Sequence, residues 1–305
     1  MRRWILFAVL VILASVPWIG LADPPASADP PITVKLGPLP DLKLQPRPPI
    51  SAAQAKHIKQ LIASLAKLDK PDFGLSATLS GSDFLPLPGQ EQVATMVLTD
   101  HGLATNSPLK ELIALGPDAL PFLLDALDDQ TPTKLVIGHT GGLGAMWFSN
   151  ELWLNPVNPS EQAVFRQRGA KPPKETDVHS YTVKIGDVCF AAVGQIVGRE
   201  YSAVRYQPTA CIVINSTAHD PAFCAEIRSI WKSNDPRQKL FDSLCADYAT
   251  QGIFNGTSLD GWDEGNNFEC GAAMRLLFYF PKESTAMLAD RLNALNVAED
   301  RSDDD

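Results

Sequence analysis

Ser107-Pro-Leu-Lys-Glu-Leu-Ile-Ala-Leu-Gly116-Pro-Asp-Ala-Leu-Pro-Phe-Leu-Leu-Asp-Ala-Leu-Asp-Asp129 decides the fold. Ser107 suits an N-cap, and Pro108 suits a first helical position, where its missing N–H has no helical partner to lose. Leu109, Leu112 and Ile113 form one apolar stripe at helical spacing. Gly116 supplies a left-handed C-cap and Pro117 stops the helix. Asp118 is placed to cap a second helix, with Pro121 in its first turn and Leu120, Leu123, Leu124 and Leu127 as its stripe. Two short helices joined by a tight turn, each with one apolar face, need a further neighbour to bury that face.

Similar signals recur outward from this hairpin. Ser51 opens a helix with Ile58, Leu61, Ile62, Leu65 and Leu68 on one face and Lys56, Lys59 and Lys67 on the other, ended at Lys70-Pro71. A helix is also expected near residues 90–99. Asp187 is expected to cap a helix bearing Val188, Ala192, Val193, Ile196 and Val197. Asp220-Pro221 and Asp235-Pro236 start two more, with Phe223, Ile227 and Trp231, then Leu240, Phe241 and Leu244. Phe268 to Phe280 reads as helix, and Pro281 opens the last one, with Met287, Leu288, Leu292 and Leu295.

Residues 112–127 resemble a HEAT-type repeat: helix, Gly-Pro turn, helix ending in Leu-x-x-Ala-Leu. Gly271 to Leu277 with Pro281 to Leu295 is similar to a degenerate second copy, and Val188 to Val197 to half of another. The chain as a whole also resembles exported bacterial proteins of unknown function, which implies no activity. The HEAT resemblance implies a mostly α fold of αα-hairpins, as an irregular solenoid or a compact helical domain, and repeats of this kind serve as protein-binding surfaces.

Residues 134–184 break the pattern. Leu135-Val-Ile137 and Ala145-Met-Trp-Phe148 are β-like, with Gly138, Gly141, Gly142 and Gly144 between and around them. This span is expected to be a non-helical insertion with a small β/loop character. Its aromatics argue against simple disorder, and a long irregular segment in a compact domain is usually functional.

The first residues set the expected compartment. Met1-Arg2-Arg3, an apolar run from Trp4, and small residues ending at Ala22 or at Ala28 are the three parts of a secretory signal peptide. The division expected is signal peptide 1–22, proline-rich linker 23–50, helical repeat-like domain 51–298 and acidic tail 299–305. That makes an exported chain of about 280 residues, periplasmic or extracellular, with no integral membrane segment once the signal is removed. The net charge of -9 argues against a nucleic-acid partner, which wants a basic stripe.

No catalytic motif stands out. There is no Gly-x-Ser-x-Gly, no His-Glu-x-x-His and no Cys-x-x-Cys. Gly138-His-Thr-Gly-Gly142 lacks the Lys-Ser/Thr of a phosphate loop. No cofactor, catalytic residue or metal ligand is therefore assigned. The acidic loop with Asp260, Asp263, Glu264 and Glu269 reads as solvated, with calcium as its alternative. Of the five cysteines, most read as buried thiols, and Cys211 with Cys224 is the pair to test for a disulfide. The expected function is an exported protein-interaction or scaffold module with a protein partner. Its binding candidates are Trp147, Phe148, Trp153, Arg166 and Arg168, since aromatics and arginines anchor interfaces. Those aromatics equally suit packing of the insertion onto the helices. The alternative is a hydrolytic or metal-dependent enzyme with a site between insertion and helices, using His139 and His179.

Overall fold

A computed structural model describes residues 39, 41–69, 84–87, 107–139, 144–168, 178–207, 209–249 and 268–300. The expected signal peptide, the helix near 90–99, and the acidic loop up to Glu264 lie outside the described residues. No helix among those described is long and apolar enough to cross a membrane. The body that positions the site is Gly37–Leu292, mostly α with a small β part.

Helix α1 (Ala52–Ser64) starts where the local chemistry says it should: Ser51 Oγ accepts the Gln54 N–H at 3.1 Å. It tightens into a 3₁₀ turn over Leu65–Lys67. Helices α2 (Ser107–Leu115) and α3 (Leu120–Asp125) form the expected hairpin, with Gly116 at φ +53°. Asp118 does not cap α3, however. Ala119 holds the N-cap position without a side-chain bond, and Asp118 accepts from Gln54 and pairs with Arg47. The Gly-Pro turn is a 3₁₀ turn, Gly116–Asp118, so Asp118 sits inside it and faces α1 and the preceding strand of chain.

Helix α5 (Ile185–Val197) is the centre of the core. All its residues but Gln195 are buried, which matches a sequence apolar all round. Helices α1, α2, α3 and the later helix Pro236–Tyr248 pack against it. Here too a cap expectation is corrected: Lys184 is the N-cap and Asp187 stands at the third helical position, its carboxylate accepting the Lys184 N–H at 2.8 Å. Helices α6 (Pro221–Trp231) and α7 (Pro236–Tyr248) start as expected, with Asp220 accepting from Ala222 and Phe223 and Asp235 from Gln238. Helix α8 (Phe268–Tyr279) packs on α7, and α9 runs Pro281–Asp300, taking in the first residues of the expected tail.

The strands are β1 (Pro132–Gly138), β2 (Met146–Ser149), β3 (Ser180–Lys184), β4 (Val204–Tyr206) and β5 (Ile212–Asn215). β1 and β3 pair antiparallel; β5 lies between β2, which is parallel to it, and β4, which is antiparallel. The span 134–184 carries much of the small β part but is not wholly non-helical. Its strand β2 is completed by β5, well outside it, and it contains helix α4 (Gln162–Arg168). The proline-rich stretch differs from a free tether in its described part. Leu42, Leu44 and Ile50 pack against the core, and Leu44 N–H and Leu42 C=O bond the Gln238 side chain.

All five cysteines are thiols. Cys224 is buried on the core face of α6, while Cys211 sits half-buried before β5 with its Sγ toward the Thr209 carbonyl. The strand and turn between them carry the two away from disulfide geometry.

Candidate functional site

The chain leaves the parallel pair at two neighbouring points, after Ser149 and after Asn215. Asn215 ties these exits together: its Oδ1 accepts the Glu151 N–H at 2.8 Å and its Nδ2 donates to the Ser202 carbonyl at 3.0 Å. A shallow cleft of about 80 Å³ opens there, lined by Phe148, Ser149 and Asn150 on one side and His219, Asp220 and Pro221 on the other. That is well below the several hundred Å³ of a pocket for a drug-sized ligand. The Phe148 ring stacks on the exposed His219 ring, centroids 3.8 Å apart, and meets Tyr181 edge-on at 5.3 Å.

Under the cleft lies a closed set of hydrogen bonds. Asp187, 1% exposed, accepts the Tyr181 hydroxyl at 2.6 Å and the Ser216 hydroxyl at 2.6 Å. The two hydroxyls are 2.8 Å apart, and Ser216 Oγ accepts the His219 N–H at 2.9 Å. Burial pushes the Asp187 carboxyl up, and the Ser216, Tyr181 and backbone donors oppose it. Burial and the neighbouring carboxylate push the Tyr181 hydroxyl up as well. These groups satisfy one another, so they brace the turn between β5 and α6.

From Asn150 to Arg168 the chain forms an arm held at several points. Glu151 receives two bonds from Arg205, at 2.6 and 2.7 Å. Asn155 and Asn158 each donate to Asp247 Oδ1, at 2.9 and 2.8 Å, and Asn158 also donates to Ser243. Glu161 takes Arg199 Nε at 2.8 Å. Arg199 reaches Asp247 as well, at 2.7 and 2.8 Å, and all three side chains are at most 1% exposed. Its guanidinium lies 5.8 Å from the Trp231 ring and 5.0 Å from the Phe268 ring. Burial pushes the Glu161 carboxyl up despite the guanidinium beside it, as expected for two carboxylates sharing one cation. At the arm's end, Arg168 bonds the Asn150 carbonyl and Glu226, and lies 5.6 Å from the Phe223 ring.

The sequence candidates therefore divide. Trp153 is 37% exposed between the anchored Glu151 and Asn155, and Arg166 is exposed on α4, where Phe165, missed in the sequence, is 50% exposed. Phe148 lines the cleft. Arg168 is spent on holding the arm. Trp147 is half-buried, its indole Nε1 enclosed without an acceptor among the described residues. His139 and His179 are joined through the backbone just past the ends of β1 and β3, the His139 N–H donating to the His179 carbonyl at 3.0 Å. No group of three metal-ligating side chains occurs among the described residues. Tyr181, Ser216 and His219 were not singled out by sequence. Their signal was the polar run Asn215-Ser-Thr-Ala-His219 between an apolar strand and the Asp220-Pro221 cap. The chain matches no family model, no curated protein and no solved structure.

Proposed function

We infer that this chain is an exported interaction module that captures a protein partner on the arm 150–168, with the cleft at Phe148 and His219 beside the arm's root. The supporting observation is Trp153, exposed on a segment pinned at both sides by Glu151 and Asn155. A solvent-facing tryptophan on a held backbone is preorganised, so little ordering entropy opposes binding. Phe165 and Arg166 add residue types that anchor interfaces. The α2–α3 hairpin and the stacking of α7 on α8 support the HEAT-like reading, and repeat hairpins present loops of this kind from one face. Export rests on the basic, apolar and small-residue parts of the first 22 residues.

The test is crosslinking in intact cells followed by mass spectrometry of the adducts. Deleting 134–184 is unsuitable, because it removes β2 from β5 and the carboxylate of Glu161 from Arg199. Trp153→Ala with Phe165→Ala leaves those contacts in place. A discrete adduct lost in this variant, with a cooperative melt that shows the fold retained, supports the reading. A folded wild-type chain that yields no adduct overturns it.

A further inference from the structure

Residues 41–50 form neither helix nor strand, yet they are held against the body. Leu39, Leu42, Leu44 and Ile50 pack on the core, while Asp41, Lys43 and Gln45 are exposed. From Asp41 to Gln45 this alternation is that of an extended chain with one face seated.

The seat is read through the backbone. The Leu44 N–H donates to Gln238 Oε1 at 2.9 Å, and Gln238 Nε2 donates to the Leu42 carbonyl at 3.2 Å. The carbonyl of one residue and the N–H two residues on lie along one edge of an extended chain, so a single side-chain amide stands in for a neighbouring strand. Asp242, one turn on in α7, accepts the same Nε2 at 2.7 Å and fixes the way the amide faces. Farther along, Arg47 pairs with Asp118 in the 3₁₀ turn of the hairpin. Pro46, Pro48 and Pro49 have no N–H to give a ladder, so the segment lies on the body as a strap and not as an edge strand.

We propose that residues 39–50 are an exchangeable strap, and that the groove along α7 takes this same segment from a second copy of the chain. The hold is a few hydrogen bonds, one partly exposed ion pair and half-buried aliphatics. Segments held so lightly open locally without global unfolding. Main-chain bonds with seats for alternate side chains are also how extended peptides are bound between chains. The occupant that fits the groove in this structure is residues 39–50, and exchange of an identical element between copies costs little because every contact is remade. This groove is independent of the interaction reading, since none of its residues lies on the arm 150–168.

The experiment mixes two variants of the purified chain. In Leu42→Ser with Leu44→Ser the strap is disabled and the groove intact. In Gln238→Ala with Asp118→Ala the groove is disabled and the strap intact. Sedimentation velocity shows each variant alone as a monomer and the mixture as a heterodimer. A labelled peptide of residues 39–50 binds the strap-disabled variant about tenfold or more tighter than it binds the wild type, whose own strap competes. Trp153→Ala added to either variant leaves the association unchanged. If a variant fails to fold, hydrogen exchange of the wild type decides: the Leu44 amide exchanges about a hundredfold or more faster than the amides of α5. Folded variants that associate no more when mixed than alone, or a Leu44 amide that exchanges only as slowly as α5, overturn the proposal.

Discussion

The ring of Tyr279 occupies the space that a side chain on residue 116 would need: a Cβ on Gly116 would stand 2.3 Å from Tyr279 Cε1. The Tyr279 hydroxyl donates to the Ile113 carbonyl at 2.5 Å, so α8 closes over the turn of the α2–α3 hairpin. The hairpin cannot bury its faces alone, and this contact is one of the ways it is covered. Gly116→Ala meets both the left-handed backbone and the ring, and should lower stability by about 2–4 kcal/mol. In a Tyr279→Ala background the same change should cost only about 1 kcal/mol, the backbone part alone. Urea unfolding of the four proteins in the cycle measures both.

Arg199 bonds both Glu161 and Asp247, and all three are enclosed. Arg199→Met removes the guanidinium that two buried carboxylates share and should cost about 3–5 kcal/mol. Combining it with Glu161→Gln and Asp247→Asn should recover much of that loss, because amides leave no uncompensated charge. Chemical denaturation distinguishes this from a loss of packing, which the triple variant would not restore.

Helix starts were legible because they are local. Ser51, Asp220-Pro221 and Asp235-Pro236 each state their cap within four residues. Asp118 and Asp187 looked the same and were misplaced, because a 3₁₀ turn in one case and a strand ending at Lys184 in the other moved the helix start. β1 and β2 showed as β-like runs, but β4 and β5 are three and four residues long, and short apolar runs carry no period that separates strand from helix. The β2–β5 pairing joins residues 66 apart, as in Met146 with Ile212, and nothing local announces it. Trp153 was legible as an anchor by its type. That Glu151 and Asn155 hold it in place was not, because their partners Arg205 and Asp247 lie 54 and 92 residues away.

The Asp187 carboxyl is raised by burial, while the Tyr181 and Ser216 hydroxyls favour its charged form. Tyr181→Phe removes one of those donors and raises the carboxyl further. A raised carboxyl favours the fold below its unfolded value and loses that advantage as pH rises through the folded value. The substitution should therefore cost about 1.5–3 kcal/mol at neutral pH, where the carboxylate needs its donors, and less in acid. Unfolding at pH 4.5 and 7.5 checks the sign; a loss independent of pH would contradict it.

Thiol reactivity should follow burial. The Cys189 thiol is fully enclosed and pushed up, and Cys245 is pushed up to about 12 by burial. Cys270 is exposed on α8. With a thiol-specific chromogenic reagent at neutral pH, Cys270 should react first in the native protein, and Cys189 and Cys224 only on unfolding. Alkylation followed by mass spectrometry assigns each site. Early labelling of Cys189 would mean that α5 opens more readily than its burial implies.

Trp153 gives the sharpest test of the arm. Its neighbours are held by Glu151 to Arg205 and Asn215, and by Asn155 to Asp247, so removing the indole leaves the backbone where it was. Because Trp153 is 37% exposed and its remaining surface is covered, Trp153→Ala should lower stability by about 1–3 kcal/mol while leaving the fold intact. A tryptophan at the centre of an interface contributes about 2 kcal/mol or more, so affinity for a captured partner should fall about thirtyfold. Asn155→Ala should do the reverse in part: it loosens the arm, lowers stability through the buried Asp247, and weakens the partner by less than the loss of the ring. Surface plasmon resonance on the partner identified by crosslinking, with melting curves for each variant, separates the two effects. If Trp153→Ala binds as the wild type does, the arm is a brace for the fold and the partner is held elsewhere.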